Sequence, residues 1–433
     1  MLLLTGCPAR EADTPAGPAG KEAAETKTDS PATDAPPPQA PEPDAPEAVA
    51  ALEELGVKMQ KNGAGSVIAL DLRSATEGDA ALEHVAGLPQ LQQLFLEGPS
   101  VTDTGLAHLS ALTDLRVLGL KGTRTSDEGL AHLAPLTNLI YLDLFRTDIS
   151  SEGLKHLSGL TALRELDLRR TRIGDEGLAE LKDLSNLTSL RLQETVVTDD
   201  GLTVLAGMPN LVFLNLQIVG LTDAALDHVS GLKNLQILEL DQSQITGAGL
   251  AKLKDVPLVS LSLRNMSLID NEALVPVGEI TTLQRLLIRN TAVTDEGLPH
   301  LAGLQNLQLL DLSENFITGA GLKDLAGLQS LAELNLWGTV MNDASLENVS
   351  VLKGLKNLNL EATLVTDEGL AHLKELSLLA QLNLKETEIE GPGLEHLHGL
   401  KQLKKINLVN TQVSPDAVEA LQQALPELEI AGG

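Results

Sequence analysis

Aromatic side chains are nearly missing from this 433-residue chain, which has four phenylalanines, one tyrosine and one tryptophan. An ordinary globular core leans on such rings for its buried area, so the apolar filling here must come from elsewhere. Cysteine occurs once, which excludes an internal disulfide framework and a cysteine-based zinc site. Basic residues number 31 against 60 acids, for a net charge of −29. That excess opposes nucleic acid and anionic membrane surfaces as partners, because phosphate repels it. No run of about 18 apolar residues is present, so nothing reads as a membrane-spanning helix. The P-loop, G-x-S-x-G, H-E-x-x-H, G-x-G-x-x-G and EF-hand signatures are missing as well.

What is present is leucine at fixed intervals. The stretch LRELDLRRTRIGDEGLAELKDLSN, Leu163–Asn186, is preceded by LIYLDLFRTDISSEGLKHLSGLTA and followed by LTSLRLQETVVTDDGLTVLAGMPN. The frame L-x-x-L-x-L-x-x-T-x-[IV]-[TS]-D-E-G-L-x-x-L survives while the charges change, so the unit is a repeat. It begins at Val67 and recurs every 24 residues to Leu403, apart from one interval of 23 and one of 25 around Leu258, giving fifteen copies. Within L-x-L the alternation sets leucines on one face of a short strand and variable residues on the other. A threonine follows in most repeats (Thr123, Thr147, Thr171 and equivalents, with Asn315 once), and its hydroxyl is expected to bond the backbone where the strand turns away. Thr or Ser before D-E-G-L is a favoured N-cap, with acids at the positive end of a helix dipole. The segment GLAHLAPL, Gly129–Leu136, then buries Leu130 and Leu133 at i, i+3 spacing. No single repeat can bury its leucine face alone, so stacking is required.

These fifteen copies resemble the leucine-rich repeat superfamily, and the 24-residue strand-plus-helix unit is most similar to the bacterial α/β, ribonuclease-inhibitor-like subclass. The resemblance implies an α/β solenoid: a horseshoe with parallel strands on the concave face and short helices on the convex face. It covers residues 67–433, with a C-terminal cap from about residue 414, where Ser414-Pro415-Asp416 opens a helix before the degenerate strand ending at Ile430. Residues 49–66 read as an N-terminal cap.

Before the cap the composition changes. Leu4-Thr5-Gly6-Cys7 is similar to a bacterial lipobox, in which the cysteine is lipidated after signal cleavage; residues 1–7 would then be a truncated leader whose natural start lies upstream. Residues 8–48 carry ten of the chain's twenty prolines, nine acids against three bases, and no Leu, Ile, Val, Phe or Met. Such a segment cannot offset its ordering entropy and is expected to be a disordered tether.

The inner face is where a partner site is expected. Five of the six aromatics fall at outward strand positions (Phe95, Tyr141, Phe145, Phe213 and Trp337), while Phe316 is assigned an inward position. Arg116, Arg146, Arg164, Arg169, Arg170 and Arg191, with Lys121, crowd the same repeats. Aromatics and arginine are the residues most enriched at binding hot spots. Asp143 and Asp167 occupy equivalent positions on adjacent strands, near the carboxylate separation of retaining glycosidases. The repeat generates that spacing for any pair, however, and Arg191 in the same row is expected to hold both acids ionised. Eight histidines share one convex position, from His84 to His396, a product of duplication without a third ligand type to complete a metal set. Asn335, Asn359, Asn383 and Asn407 form a stripe on four consecutive strands, expected to be an amide ladder between strands. The expectation is therefore a monomeric, non-enzymatic protein-binding lipoprotein of a bacterial cell envelope, without cofactor or metal, touching membrane only through its lipid anchor. Alternatives are a structural or glycan-binding envelope protein and, third, an F-box-type substrate-recruiting repeat domain.

Overall fold

The computed structural model describes residues 42–432. Cys7 and the tether up to residue 41 lie outside the described residues. The compact unit begins at Glu42, and the helix Pro46–Glu54 starts inside the stretch that composition assigned to the tether. Polar capping explains the difference. Asp44 Oδ2 accepts from Val67 N at 2.6 Å, the Glu42 carbonyl accepts from Gln90 Nε2, and Ala45 N donates to the Gly87 carbonyl. A segment without large apolar residues thus closes the open end of the stack with hydrogen bonds.

Among the described residues, seventeen strands form one sheet. The first, Lys58–Lys61, runs antiparallel to Val67–Asp71. From there every strand pairs in parallel with the strand of the next coil, ending at Glu429–Ala431. The register is constant, so equivalent repeat positions form rows across the sheet: Asp143, Asp167, Arg191, Asn215 and Glu239 make one such row. The motif leucines are buried beneath, for example Leu139, Leu142 and Leu144, in one continuous core. Losing any one of them to alanine would cost about 2–5 kcal/mol. The convex side is built of short pieces, α-helical at Asp127–Ala131 and Asp175–Ala179 but 3₁₀ at Ser151–Leu157 and Asp200–Gly207. One or two turns offer too few i→i+4 bonds to impose the α form. The fold is a leucine-rich repeat α/β solenoid, strands inside the curve and helices outside.

Two features of the loops position everything else. The first is the D-E-G triplet. Asp103 accepts from Ser126 N at 2.8 Å and from Ser126 Oγ at 2.5 Å, so the acid reaches the N-cap of the next coil. Asp79, Asp127, Asp175, Asp223 and Asp343 do the same to Thr102, Ser150, Thr198, Thr246 and Thr366. The glycine two residues on makes room for the preceding coil's acid: a Cβ on Gly129 would fall on Asp103 Oδ1. The triplet is an inter-coil joint as well as a helix start. The joint is replaced where Asn271 takes the acid's place toward Thr294. Between the coils of Gly247 and Asp270 no side-chain joint of this kind exists among the described residues; Asp270 caps its own coil at Ala273 N.

The second feature is a left-handed residue after most strands. Arg146, Arg170, Glu194, Ile218 and seven other non-glycine residues have φ between 51° and 61° there, a conformation costing about 1–2 kcal/mol. In return the backbone turns so that its N–H bonds the next coil, Arg146 N to the Arg169 carbonyl and Arg170 N to the Gln193 carbonyl, both at 2.9 Å.

Where a threonine follows the strand, it donates its hydroxyl to the carbonyl three residues back, as Thr147 Oγ1 does to Leu144 at 2.8 Å. Asn315 spans two coils, donating to the carbonyls of Ile288 and Leu312. Phe316 corrects the expectation of an inward ring: it is 74% exposed. It stands between inward-facing Asn315 and Ile317, on the flank where the chain leaves the strand.

Candidate concave binding surface

Phe145 is the centre of the aromatic patch. Three cations approach its ring: the Arg169 guanidinium carbon at 5.1 Å, Arg170 at 5.8 Å and Lys121 Nζ at 5.9 Å from the centroid. Arg169 is itself fixed from below. Its Nε and Nη2 grip the carboxylate of Asp167, which is 3% exposed, with Nη2 at 2.5 Å. Arg170 pairs with Glu194 at 2.9 Å and Lys121 with Glu97 at 3.3 Å. Each cation–ring contact at a partly exposed site is worth about 0.5–1 kcal/mol, but the larger consequence is order. Cations and ring hold one another in place.

Neighbouring strands repeat the device. Arg191 lies 4.8 Å from the Phe213 centroid and Arg73 5.4 Å from Phe95. The Phe95 ring leans over Gly119, whose missing side chain leaves the space; an added Cβ would meet Cδ1 at 3.2 Å. Trp337, further along, is covered by Arg289 at 4.6 Å.

The acids around Tyr141 differ from one another. Asp143 accepts from Phe145 N at 2.8 Å, and burial pushes its carboxyl above the usual range despite that bond. Burial, then the charge of Asp143, pushes the Tyr141 phenol up to about 12. The cation that grips Asp167 is Arg169 rather than Arg191, which stands 3.9 Å from Glu165. Arg191 therefore does not hold Asp143 and Asp167 as a pair.

The sequence-derived arginine cluster separates into three lines. Arg169 and Arg191 lie over the strands. Arg116 and Arg164 are exposed just before the strands Val117–Lys121 and Glu165–Asp167. Arg146 and Arg170 occupy the left-handed turn at the other end. Arg73 and Arg289 escaped notice, although parity within the leucine frame puts both beside an aromatic row. Glu239 was also passed over. It accepts from Asn215 Nδ2 at 2.6 Å, and burial followed by the charge of Asp241 raises its carboxyl.

The asparagine stripe is not an amide ladder. Asn335, Asn359, Asn383 and Asn407 each turn Oδ1 onto a backbone N–H two residues ahead. Strand ends leave that N–H free, and the side chain caps it more directly than a neighbouring amide could. The histidines sit exposed or half-buried on the convex turns. Among the described residues no group of three potential metal ligands comes together, and no helix is long and apolar enough to cross a membrane.

The leucine-rich repeat profile matches residues 136–158, 159–182, 183–206 and 303–326, in keeping with the leucine-rich repeat α/β solenoid of the fold. Among solved structures, the chain is similar to an internalin from Listeria monocytogenes, at 23% identity over 90% of this chain and 94% of that one, with a TM-score of 0.52. It is also similar to a leucine-rich repeat protein from Leptospira interrogans, at 21% identity over 80% of this chain and 91% of that one, with a TM-score of 0.55. At these identities the likeness is one of fold. No curated protein sequence matches the chain.

Proposed function

We propose that this is a non-enzymatic binding module of a bacterial envelope, tethered through a lipid on Cys7, whose concave face engages a protein partner between the strands Gln93–Glu97 and Phe213–Asn215. The observation that carries the reading is the Phe145 cluster, a partly exposed ring held by Arg169, Arg170 and Lys121 on a rigid sheet. An ordered aromatic–cation surface loses little freedom on association, which is where much of the cost of binding lies. Leucine-rich repeat proteins typically mediate protein–protein interactions, in keeping with this use of the fold. A tether of this composition would raise the module's concentration near the membrane without adding a contact.

The test uses the whole chain as bait. A protein captured by the parent should be recovered at least tenfold less by a Tyr141→Ala, Phe145→Ala, Arg170→Ala variant with an unchanged far-UV spectrum. Equal recovery by parent and variant would remove the site from this face. For the anchor, Cys7→Ser expressed with a complete leader should leave the membrane fraction; continued partition there would refute lipidation.

A further inference from the structure

We infer that the C-terminal half of the concave face is a second binding site, for an uncharged polypeptide segment in the polyproline II conformation. It is independent of the partner site on the N-terminal half. The strands there enclose an open concavity of about 740 Å³. Its charged lining cancels, Arg264, Arg285 and Lys405 against Asp311, Glu333 and Glu429, so the complementary occupant carries no net charge.

The floor sets the chemistry. Asn335, Asn359, Asn383 and Asn407 align on adjacent strands. Their amide oxygens are already committed to backbone N–H groups, so the row offers donors and almost no acceptors. Asn335 Nδ2 donates to Asp311 and Asn383 Nδ2 to Glu361, both at 2.9 Å. Asn359 and Asn407 keep their amide nitrogens without a partner among the described residues, whereas their oxygens bond Glu361 N and Val409 N. Free donors thus alternate with occupied ones.

That alternation has a length. Strands about 4.7–4.9 Å apart put every second coil roughly 9.4–9.8 Å away. A polyproline II chain repeats each carbonyl direction every three residues, about 9.3 Å, and has no internal hydrogen bonds to satisfy those carbonyls. An extended β ligand repeats on one side every two residues, about 6.6–6.8 Å, and falls out of step. Proline adds acceptors without bringing an N–H, which suits a floor that has donors to give. Trp337, whose backbone N–H donates to Asn335, adjoins the floor without lining it, its ring covered by Arg289.

Trp337 is the sole tryptophan, so its emission reports the titration. The full chain is titrated with a capped nonaproline, a capped Gly-Ser peptide of equal length, and neutral dextran. Nonaproline alone should give a saturable change. The Asn359→Asp, Asn407→Asp variant keeps both backbone caps but removes the free donors, and should bind nonaproline at least tenfold more weakly. An uncharged ligand is indifferent to the added charge, so the loss reads the donors. The Tyr141→Ala, Phe145→Ala, Arg170→Ala variant should bind nonaproline like the parent, which separates failure here from failure of the partner site. No saturation with nonaproline, an unchanged affinity in the aspartate variant, or saturation by dextran instead would overturn the inference.

Discussion

The joint between Asp103 and Gly129 can be tested by a double-mutant cycle. Asp103→Ala removes the acceptor for both Ser126 N and Ser126 Oγ. Hydrogen bonds to a charged group contribute about 1.5–3 kcal/mol each, less where partly exposed, so about 2–4 kcal/mol of stability should go. Gly129→Ala in the parent sets a methyl on Asp103 Oδ1. Overpacking costs about 1–3 kcal/mol and outweighs the helix preference of alanine over glycine, about 0.5–1 kcal/mol. In the Asp103→Ala background the carboxylate is gone, and the same methyl becomes neutral or stabilising. The coupling should therefore exceed about 1 kcal/mol, well outside the 0.3–0.5 kcal/mol within which independent sites add. Urea unfolding followed by circular dichroism gives the cycle, and hydrogen exchange at Ser126 N gives a local reading that does not require the whole array to unfold at once. Additive effects would show that acid and glycine do not share the space, and the account of the D-E-G triplet would fail.

Other outcomes follow from individual side chains. Ile218 is a β-branched residue at φ 55°, and Ile218→Asn should stabilise the protein by about 0.5–1 kcal/mol in urea melts, since asparagine tolerates the left-handed region. Asp143 has a carboxyl raised by burial, so the native state takes up its proton before the unfolded chain as pH falls. Ionisation at neutral pH works against the fold there. Asp143→Asn should accordingly be more stable than the parent at pH 7, with the advantage shrinking as pH drops toward the ordinary carboxylate range; a constant difference would count against the assignment. Tyr141, the sole tyrosine, should titrate by ultraviolet absorbance near pH 12 rather than 10, and fold stability at this site should decline as pH climbs between those values. Arg169→Met leaves Asp167 buried without its cation, and should cost about 2–4 kcal/mol in unfolding measurements, more than Arg170→Met at its exposed pair.

The strand frame was legible because burial of the leucines is set by alternation alone, and one repeat confirms the next. The threonine hydroxyl was legible for a similar reason, its bond being local. Contacts between coils were not. Asp103 reaches Ser126 across a full repeat, and nothing within either repeat announces it. Phe316 was misplaced although the frame sets Asn315 and Ile317 inward and turns the position between them out. The arginines were gathered by sequence proximity, yet Arg164, Arg169 and Arg170 leave the same coil in three directions. For the asparagines, identity across strands suggested a ladder, while the free N–H at each strand end was the stronger claim on the amide.

The junction between the coils of Gly247 and Asp270, which lacks the acid-to-cap joint but keeps Asp241 on Ser262 Oγ and Arg264 N, divides the inner wall. The tyrosine and the phenylalanine–arginine contacts lie before it, the asparagine floor and the indole beyond it. Stacked units part at such seams, and this one would open once Asp241 releases Ser262 Oγ and Arg264 N. Each half would then keep its own binding wall and its own built-in chromophore, and an occupant reaching across both would act as a second clasp beside Asp241.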